Sequence, residues 1–252
     1  MKLVRHLFVI SIFSVLLGCG SHPNQTPAST STPIPNVAQT DNEISDASVQ
    51  QQVPEVEEES AQNKDILSLI PDGWVLMDSF DEDLVKAEGD LNKDGIDDVA
   101  IVIEEVIESN AAPNRALLIA FKNNEGNLAL SIIAENVILK ENEGGVWGDP
   151  FESISIDRGS IIVSDYGGSN WRWYNRYRFR YQDQDWYMIG ATRGSYFSGD
   201  ASIDQADEED FNLLTGDYIV KKRNEEGEME VTKGNRGKMP LVKLSQFNIE
   251  NM

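Results

Sequence analysis

The chain has 252 residues, with 43 acidic and 21 basic side chains, and its formal net charge is −22. This negative charge argues against binding to nucleic acid or to an anionic membrane surface by bulk electrostatics. A hydrophobic fraction of 40% suffices for a globular core and is too low for a polytopic membrane protein. Cysteine occurs once, so the chain cannot form an intrachain disulfide.

The N-terminus has the pattern of an export signal. A short basic segment precedes an apolar run from Leu7 to Leu17, which is too short to span a bilayer as a helix. The run ends in Leu16-Leu17-Gly18-Cys19, which resembles the lipobox of bacterial lipoproteins. The resemblance implies that residues 1–18 are a signal peptide and that Cys19, after cleavage, carries acyl chains such as palmitate. The chain is therefore expected to be anchored to a bacterial membrane on its extracytoplasmic side.

The next segment, residues 19–63, is expected to be a disordered tether. It is rich in Pro, Ser, Thr, Gln and Asn, contains no lysine or arginine and shows no sustained apolar period. Such a composition cannot bury enough apolar surface to offset the entropy of ordering. The tether would let a globular domain, predicted for residues 64–252, stand off from the bilayer.

The predicted domain is mainly β, with an antiparallel, meander-like or sandwich-like arrangement. Short apolar, β-branched or aromatic runs alternate with turn signals, and nothing repeats at the period of a propeller or solenoid. The predicted strands are 99–103, 116–121, 128–133, 154–156, 161–163, 171–181, 186–191, 218–222, 229–232 and 241–244. One or two short helices are expected in addition. One covers 65–70 and stops at Pro71; the other would begin at Asp207 and run through Leu214.

A possible metal-binding loop lies between residues 89 and 98. Calcium prefers six to eight oxygen ligands, which alternate positions of a tight loop can supply. The candidate ligands, in the order of the pattern D-x-N-x-D-G-x-x-D, are Asp90, Asn92, Asp94, the backbone carbonyl of Ile96, and Asp98. Gly95 permits the sharp turn at the sixth position. The loop departs from the EF-hand because Ile101 stands at position 12, where that motif has glutamate, and because a strand pattern follows.

This combination resembles the calcium loops of FG-GAP repeats, which occur in integrin alpha-chain propellers and in many bacterial surface proteins. The resemblance covers about 14 residues and implies that Asp98 completes the ligand shell. It does not extend to the fold, because a single copy cannot build a propeller. The calcium ion is expected to be structural. The alternative is a turn rich in Asp and Asn, whose side chains cap their own backbone without a metal.

Aromatic and arginine residues alternate along 171–181. Trp171, Trp173, Tyr177, Phe179 and Tyr181 share one face, and Arg172, Arg176, Arg178 and Arg180 share the other. One interpretation is an amphipathic strand, with aromatic residues in the core and arginines paired with carboxylates. The other is a groove in which arginines bind an anionic or sugar-like ligand. A four-residue hairpin loop predicts that Arg180 lies opposite Tyr187 and Arg178 opposite Ile189.

Two glycine-rich loops present further candidate ligand-binding residues. Residues 141–150 display Trp147, and residues 166–171 lead into Trp171. A tryptophan in a loop can contact a ligand or fold back on the core.

The domain lacks the residues of several catalytic classes. The two histidines are His6 and His22, and the cysteine is Cys19, so residues 64–252 cannot form a catalytic triad with histidine or a histidine zinc site. No phosphate loop or dinucleotide fingerprint is present. A pair of carboxylates, as in glycosidases, would be the remaining route to catalysis, but no spacing identifies such a pair. The chain is therefore not predicted to be an enzyme.

Residues 71–200 also resemble bacterial envelope proteins that have no assigned activity. The resemblance depends on Pro71-Asp72-Gly73-Trp74, the 89–98 loop and the segment 166–173. The leading hypothesis is a lipid-anchored envelope protein whose β-rich domain is a calcium-stabilised binding or structural module. The alternatives are a carbohydrate-active hydrolase with two carboxylates, and an adaptor that presents the arginine–aromatic strand to an envelope protein. A glycan is a further possible partner.

Overall fold

The computed structural model describes residues 66–78 and 85–249. The signal peptide and tether predicted for residues 1–63 lie outside this range, as does Cys19. Within the described residues, no helix is long and apolar enough to cross a membrane.

The first half of the described chain forms a five-stranded antiparallel sheet. Its strands are β1 (Trp74–Leu76), β2 (Lys86–Gly89), β3 (Asp98–Glu105), β4 (Arg115–Lys122) and β5 (Leu128–Glu135). The order is β1-β3-β4-β5, and β2 pairs with β3 as well. Nearly every residue of β3 and β4 is buried, which explains why these strands read as continuous apolar runs rather than as alternating patterns.

The second half forms a seven-stranded antiparallel sheet in which every strand pairs with its neighbours in sequence. The strands are β6 (Phe151–Ile156), β7 (Ile161–Gly168), β8 (Trp171–Gln182), β9 (Asp185–Phe197), β10 (Asp207–Asn212), β11 (Asp217–Arg223) and β12 (Met229–Asn235). Short 3₁₀ turns occupy Gly145–Trp147, Ile203–Gln205 and Leu244–Gln246. This sheet is a meander, as predicted.

One core joins the two sheets. Val102 and Leu117 of the five-stranded sheet pack in the same buried cluster as Tyr177 and Phe179 of the seven-stranded sheet. The other face of the five-stranded sheet forms a second cluster, which the segment around Ile66 covers. The two sheets are open, and the predicted class, mainly β with short helical turns, is confirmed.

Two predicted elements are wrong. The helix predicted for 207–214 is strand β10, because its backbone groups pair with β9 on one side and β11 on the other. An isolated helix of eight residues gains too little to compete with two complete ladders. The strand predicted for 241–244 is reduced to one bridge between Lys243 and Tyr187. The first predicted helix amounts to a single turn, in which the Leu69 amide donates to the Ile66 carbonyl.

Candidate functional site

The 89–98 loop connects β2 to β3, and Gly89 pairs directly with Asp98 at its base. Gly95 has a φ of +89°, a conformation that favours glycine. Lys93 also has a positive φ, of 68°. The sharp turn that the motif predicted at Gly95 is therefore present.

Side chains of the loop accept hydrogen bonds from its own backbone. The carboxylate of Asp90 accepts from the amides of Lys93, Asp94 and Gly95, at 2.6, 3.2 and 3.1 Å. Asn92 accepts from the Asp94 amide and donates its side-chain amide to the Asp94 carboxylate, both at 2.9 Å. These contacts fix the direction of three predicted ligands. They are equally the contacts of a turn that caps itself, and they do not separate the two interpretations.

Asp98 is fully buried and connects the loop to the sheet. One oxygen accepts from the amides of Leu91 and Asn92, and the other accepts from the Lys122 amide at 2.9 Å. Burial raises the pKa of Asp98, the three amides oppose this shift, and the charge of Asp94 adds to it. The sequence predicted Asp98 as a ligand; the structure also makes it the residue that orders the loop's first turn.

The predicted ligands therefore occupy one loop but do not form a ready cluster. Among the described residues, no group of three or more acidic, histidine or cysteine side chains is arranged to hold a metal ion. Ile96, whose carbonyl was the predicted fifth ligand, donates its amide to Asp94 at 2.8 Å. The donor chemistry, three carboxylates, an amide and a carbonyl, suits calcium better than magnesium, which demands octahedral geometry and keeps its waters.

Along β8, the odd-numbered positions carry most of the aromatic residues, and the even-numbered positions carry the four arginines and Tyr174. Tyr177 and Phe179 are buried in the shared core. The even-numbered positions face away from the core, and this side of the seven-stranded sheet is called the outer face below. Arg180 pairs with Tyr187, as the hairpin predicted. Arg178 pairs with Gly190 instead of Ile189, because a bulge in β9 adds one residue at this point.

The predicted ligand-binding residues lie in three places. Arg176, Arg178 and Arg180 line one cavity of about 550 Å³ on the outer face. Arg172 lies 4.6 Å above the ring of Trp147, which also packs edge-on against Tyr166. Trp171 is exposed and contacts Phe197, with their ring centroids 5.4 Å apart. The structure thus brings the three arginines together and places neither tryptophan beside them.

The sequence missed several residues of the arginine-lined cavity. Arg158 reaches it from the β6–β7 turn, Gly190 and Thr192 from β9, and Asp210 and Asn212 from β10. The β6–β7 turn was predicted, so Arg158 could have been placed near β8 from the hairpin order alone. The residues that β10 contributes were not predictable, because the local sequence of 207–214 favours a short helix and its pairing with β9 and β11 is a tertiary effect.

A second charged cluster was also missed. The buried guanidinium of Arg115 binds Glu104 at 2.8 Å and both carboxylate oxygens of Asp149 at 2.7 Å. Asp165 is fully buried, and the charges of Asp149 and Arg115 in this cluster affect its pKa in opposite directions. Among the described residues, neither of its carboxylate oxygens has a hydrogen-bond partner. Burial raises the pKa of Asp165 to about 8. Since its carboxyl group does not reach solvent, it is poorly placed to act on a substrate.

The fold and its loops define a two-sheet antiparallel β protein with one Asp-rich hairpin loop and an arginine-lined cavity. Comparisons with protein-family models, with curated proteins and with solved structures give no match.

Proposed function

We propose that this chain is a lipid-anchored, extracytoplasmic protein of the bacterial envelope, and that its two-sheet domain is a calcium-stabilised binding module. The 89–98 loop carries the calcium part of the proposal. The Leu16-Leu17-Gly18-Cys19 segment supports the anchor.

The loop supports calcium because it concentrates acidic side chains in one turn. Asp90, Asp94 and Asp98 alternate with Asn92 over nine residues, and carboxylates held this closely repel each other unless a cation is bound. The backbone amides that orient Asp90 also hold part of the turn in place. Calcium is expected to bind the folded loop and hardly the unfolded chain, so that it would stabilise the folded domain. The base of the loop, where β2 pairs with β3, connects this effect to the sheet.

Calorimetry of the metal-free domain tests the calcium site. With a dissociation constant of about 0.1 mM, roughly 10 mM calcium adds about 2.7 kcal/mol to the free energy of unfolding. For a domain of this size, the melting temperature rises by about 5–10 °C. Magnesium should have a much smaller effect.

Two variants separate a metal site from a self-capped turn. Asp94→Ala removes a ligand and should abolish most of the calcium shift. The matched control is Asp97→Ala, which removes an exposed acid of the same loop at a position outside the ligand pattern and should keep the shift. A wild-type melting curve that is the same with and without calcium, in protein shown to be metal-free by elemental analysis, contradicts the calcium site.

The anchor is tested in cells. Cys19→Ala should yield a protein that is not acylated and that no longer partitions with membranes, because acyl chains at Cys19 supply the expected membrane affinity. Unchanged detergent-phase partitioning of this variant contradicts the anchor while leaving the calcium site intact.

A further inference from the structure

The arginine-lined cavity lies on the outer face, above β9 and between β8 and β10. Its volume of about 550 Å³ falls in the range of small-molecule sites. The four arginines that line it are Arg158, Arg176, Arg178 and Arg180. Residues on the same face of a strand repeat every two positions. The Cα atoms of the three arginines of β8 are therefore spaced about 7 Å apart and span about 14 Å.

Within the part of the chain that the structure describes, two of these arginines have no carboxylate partner. Arg178 binds the side chain of Asp157 at 3.1 Å, and Arg158 binds the same carboxylate at 3.2 Å. By contrast, Arg180 makes one long contact, 3.4 Å, with the hydroxyl of Ser160. Arg176 is exposed and, within residues 66–78 and 85–249, forms no ion pair or side-chain hydrogen bond.

Among the described residues, Arg115, Arg193 and Arg223 each have a carboxylate within 4 Å. Arg172 and Arg236 have no carboxylate partner there, but each lies over an aromatic ring. Arg176 and Arg180 have neither kind of partner, although acids outnumber bases in the chain by 43 to 21. Within the described residues, the one acid in the cavity lining is Asp210, which accepts a hydrogen bond from Thr192 at 2.7 Å. The cavity is therefore a local positive site on a strongly negative protein.

The cavity stays open because a glycine forms part of its floor. A Cβ atom added at Gly190 would meet the Phe211 carbonyl at 3.4 Å and Arg178 Cβ at 3.7 Å, which are ordinary contacts. At Gly194, further along the same face of β9, the ring of Tyr174 already fills the corresponding space. The β9 bulge places Gly190, rather than a larger residue, opposite Arg178.

Among the described residues of the lining, the one aromatic residue is Phe211, and its ring already contacts Arg236 and Tyr218. The guanidinium groups are the charged donors of the lining, and their planar forks match carboxylate and phosphate oxygens.

We propose that this cavity binds a small ligand with two oxyanion groups, carboxylate or phosphate, about 7–14 Å apart, one near Arg176 and one near Arg180. This inference rests on the proposed function in that it names the ligand class of the binding module. It does not depend on calcium or on the anchor.

Isothermal titration with matched ligand pairs tests the inference and distinguishes carboxylate from phosphate. Adipate is compared with hexanoate, and fructose 1,6-bisphosphate with fructose 6-phosphate, in low-salt buffer without calcium. In at least one pair, the member with two oxyanion groups should bind at least tenfold more tightly than the member with one. Equal affinity in both pairs, or no binding at 10 mM by either ligand with two oxyanion groups, overturns the proposal.

Variants locate the binding. Arg176→Gln and Arg180→Gln should each weaken binding of the tighter ligand at least tenfold, and Gly190→Val should do so by filling the floor of the cavity without removing a charge. Lys233→Gln removes a charge from an exposed position of β12 and should change the affinity by less than twofold. Wild-type affinity in the three cavity variants, with unchanged melting temperatures, overturns the proposal. The calcium shift in melting temperature is measured in a separate experiment. Failure of the calcium site and failure of the anion-binding cavity can therefore be told apart.

Discussion

Arginines occupy two opposite environments in this molecule. Arg115 is buried, and its guanidinium binds Glu104, Asp149 and the Leu139 carbonyl. Arg176 and Arg180 lie at the edge of an open cavity, and no carboxylate lies within ion-pair distance of either among the described residues. In the first environment, every strong acceptor belongs to the protein. In the second, the strong acceptors would have to come from a ligand.

The difference shows that the partners of an arginine decide whether it contributes to stability or is available to bind a ligand. Removing a group from a saturated buried cluster leaves other charges without partners, which costs stability. Removing an unpaired surface arginine costs little stability and subtracts only from binding. The two environments should therefore respond in opposite ways to the same substitution.

The largest effect is expected at the buried cluster. Arg115→Met keeps an unbranched but shorter side chain and leaves Glu104 and Asp149 without their guanidinium partner, and breaking a buried pair in this way costs about 3–5 kcal/mol. Urea unfolding measures this loss. Arg176→Met is the matched control, and its stability should stay within about 0.5 kcal/mol of wild type. Equal losses in the two variants would remove the distinction between the two environments.

The next effect is a gain in stability at Asp165. Burial raises the pKa of its carboxyl group to about 8; Glu152, Asp149 and Glu143 reinforce the shift, and Arg115 opposes it. Unfolding lets this group lose its proton at neutral pH, which favours the unfolded chain. Asp165→Asn removes the titration and should raise the free energy of unfolding at pH 7 by about 2–4 kcal/mol.

The effect of Asp165 on the free energy of unfolding depends on pH, and its sign follows from the raised pKa of the folded state. Well below pH 4, Asp165 is protonated in both the folded and the unfolded chain, and its contribution to the free energy of unfolding is fully present. As the pH rises toward 8, the folded protein keeps the proton and the unfolded chain does not, so stability falls by about 1.4 kcal/mol per pH unit. Unfolding of wild type and Asp165→Asn should therefore differ most near pH 8 and least near pH 4. A difference that does not change with pH contradicts the assignment.

Local patterns in the sequence predicted most of the fold and part of the cavity. The β8–β9 hairpin was predicted because its aromatic and arginine residues alternate, and the pairing of Arg180 with Tyr187 followed from loop length. The bulge at Ile189 was not predictable, since nothing in the local residues marks it. The calcium interpretation of the 89–98 loop stays a prediction.

Other features depend on residues far apart in the chain. Asp149 binds Arg115 across 34 positions, and no local pattern connects them. Strand β10 has the acidic sequence Asp-Glu-Glu-Asp, which is unfavourable in strands. It is a strand because β9 and β11 offer complete ladders on both sides, and this context is tertiary.

The smallest effect on stability, and the sharpest test of the comparison, is expected at Asp157. This carboxylate is the acid that binds Arg158 and Arg178, and these two guanidinium groups hold its pKa below the usual range. Asp157→Asn converts two paired arginines of the cavity into unpaired ones, while the Asp157 carbonyl can still accept from Arg178, at 3.2 Å in the structure. The Arg178 guanidinium should therefore keep its position.

The expected result is a several-fold gain in affinity for the tighter ligand with little change in melting temperature, because the variant removes an anion that competes for two arginines of the cavity rather than adding a contact. The gain should shrink as salt is added, since screening weakens the interaction of exposed charges. Titration of Asp157→Asn and wild type at about 50 and 500 mM sodium chloride measures both effects. If the affinity falls instead, the ordered pair of Asp157 and Arg178 is part of the binding surface, and pairing in the cavity serves the ligand rather than competing with it.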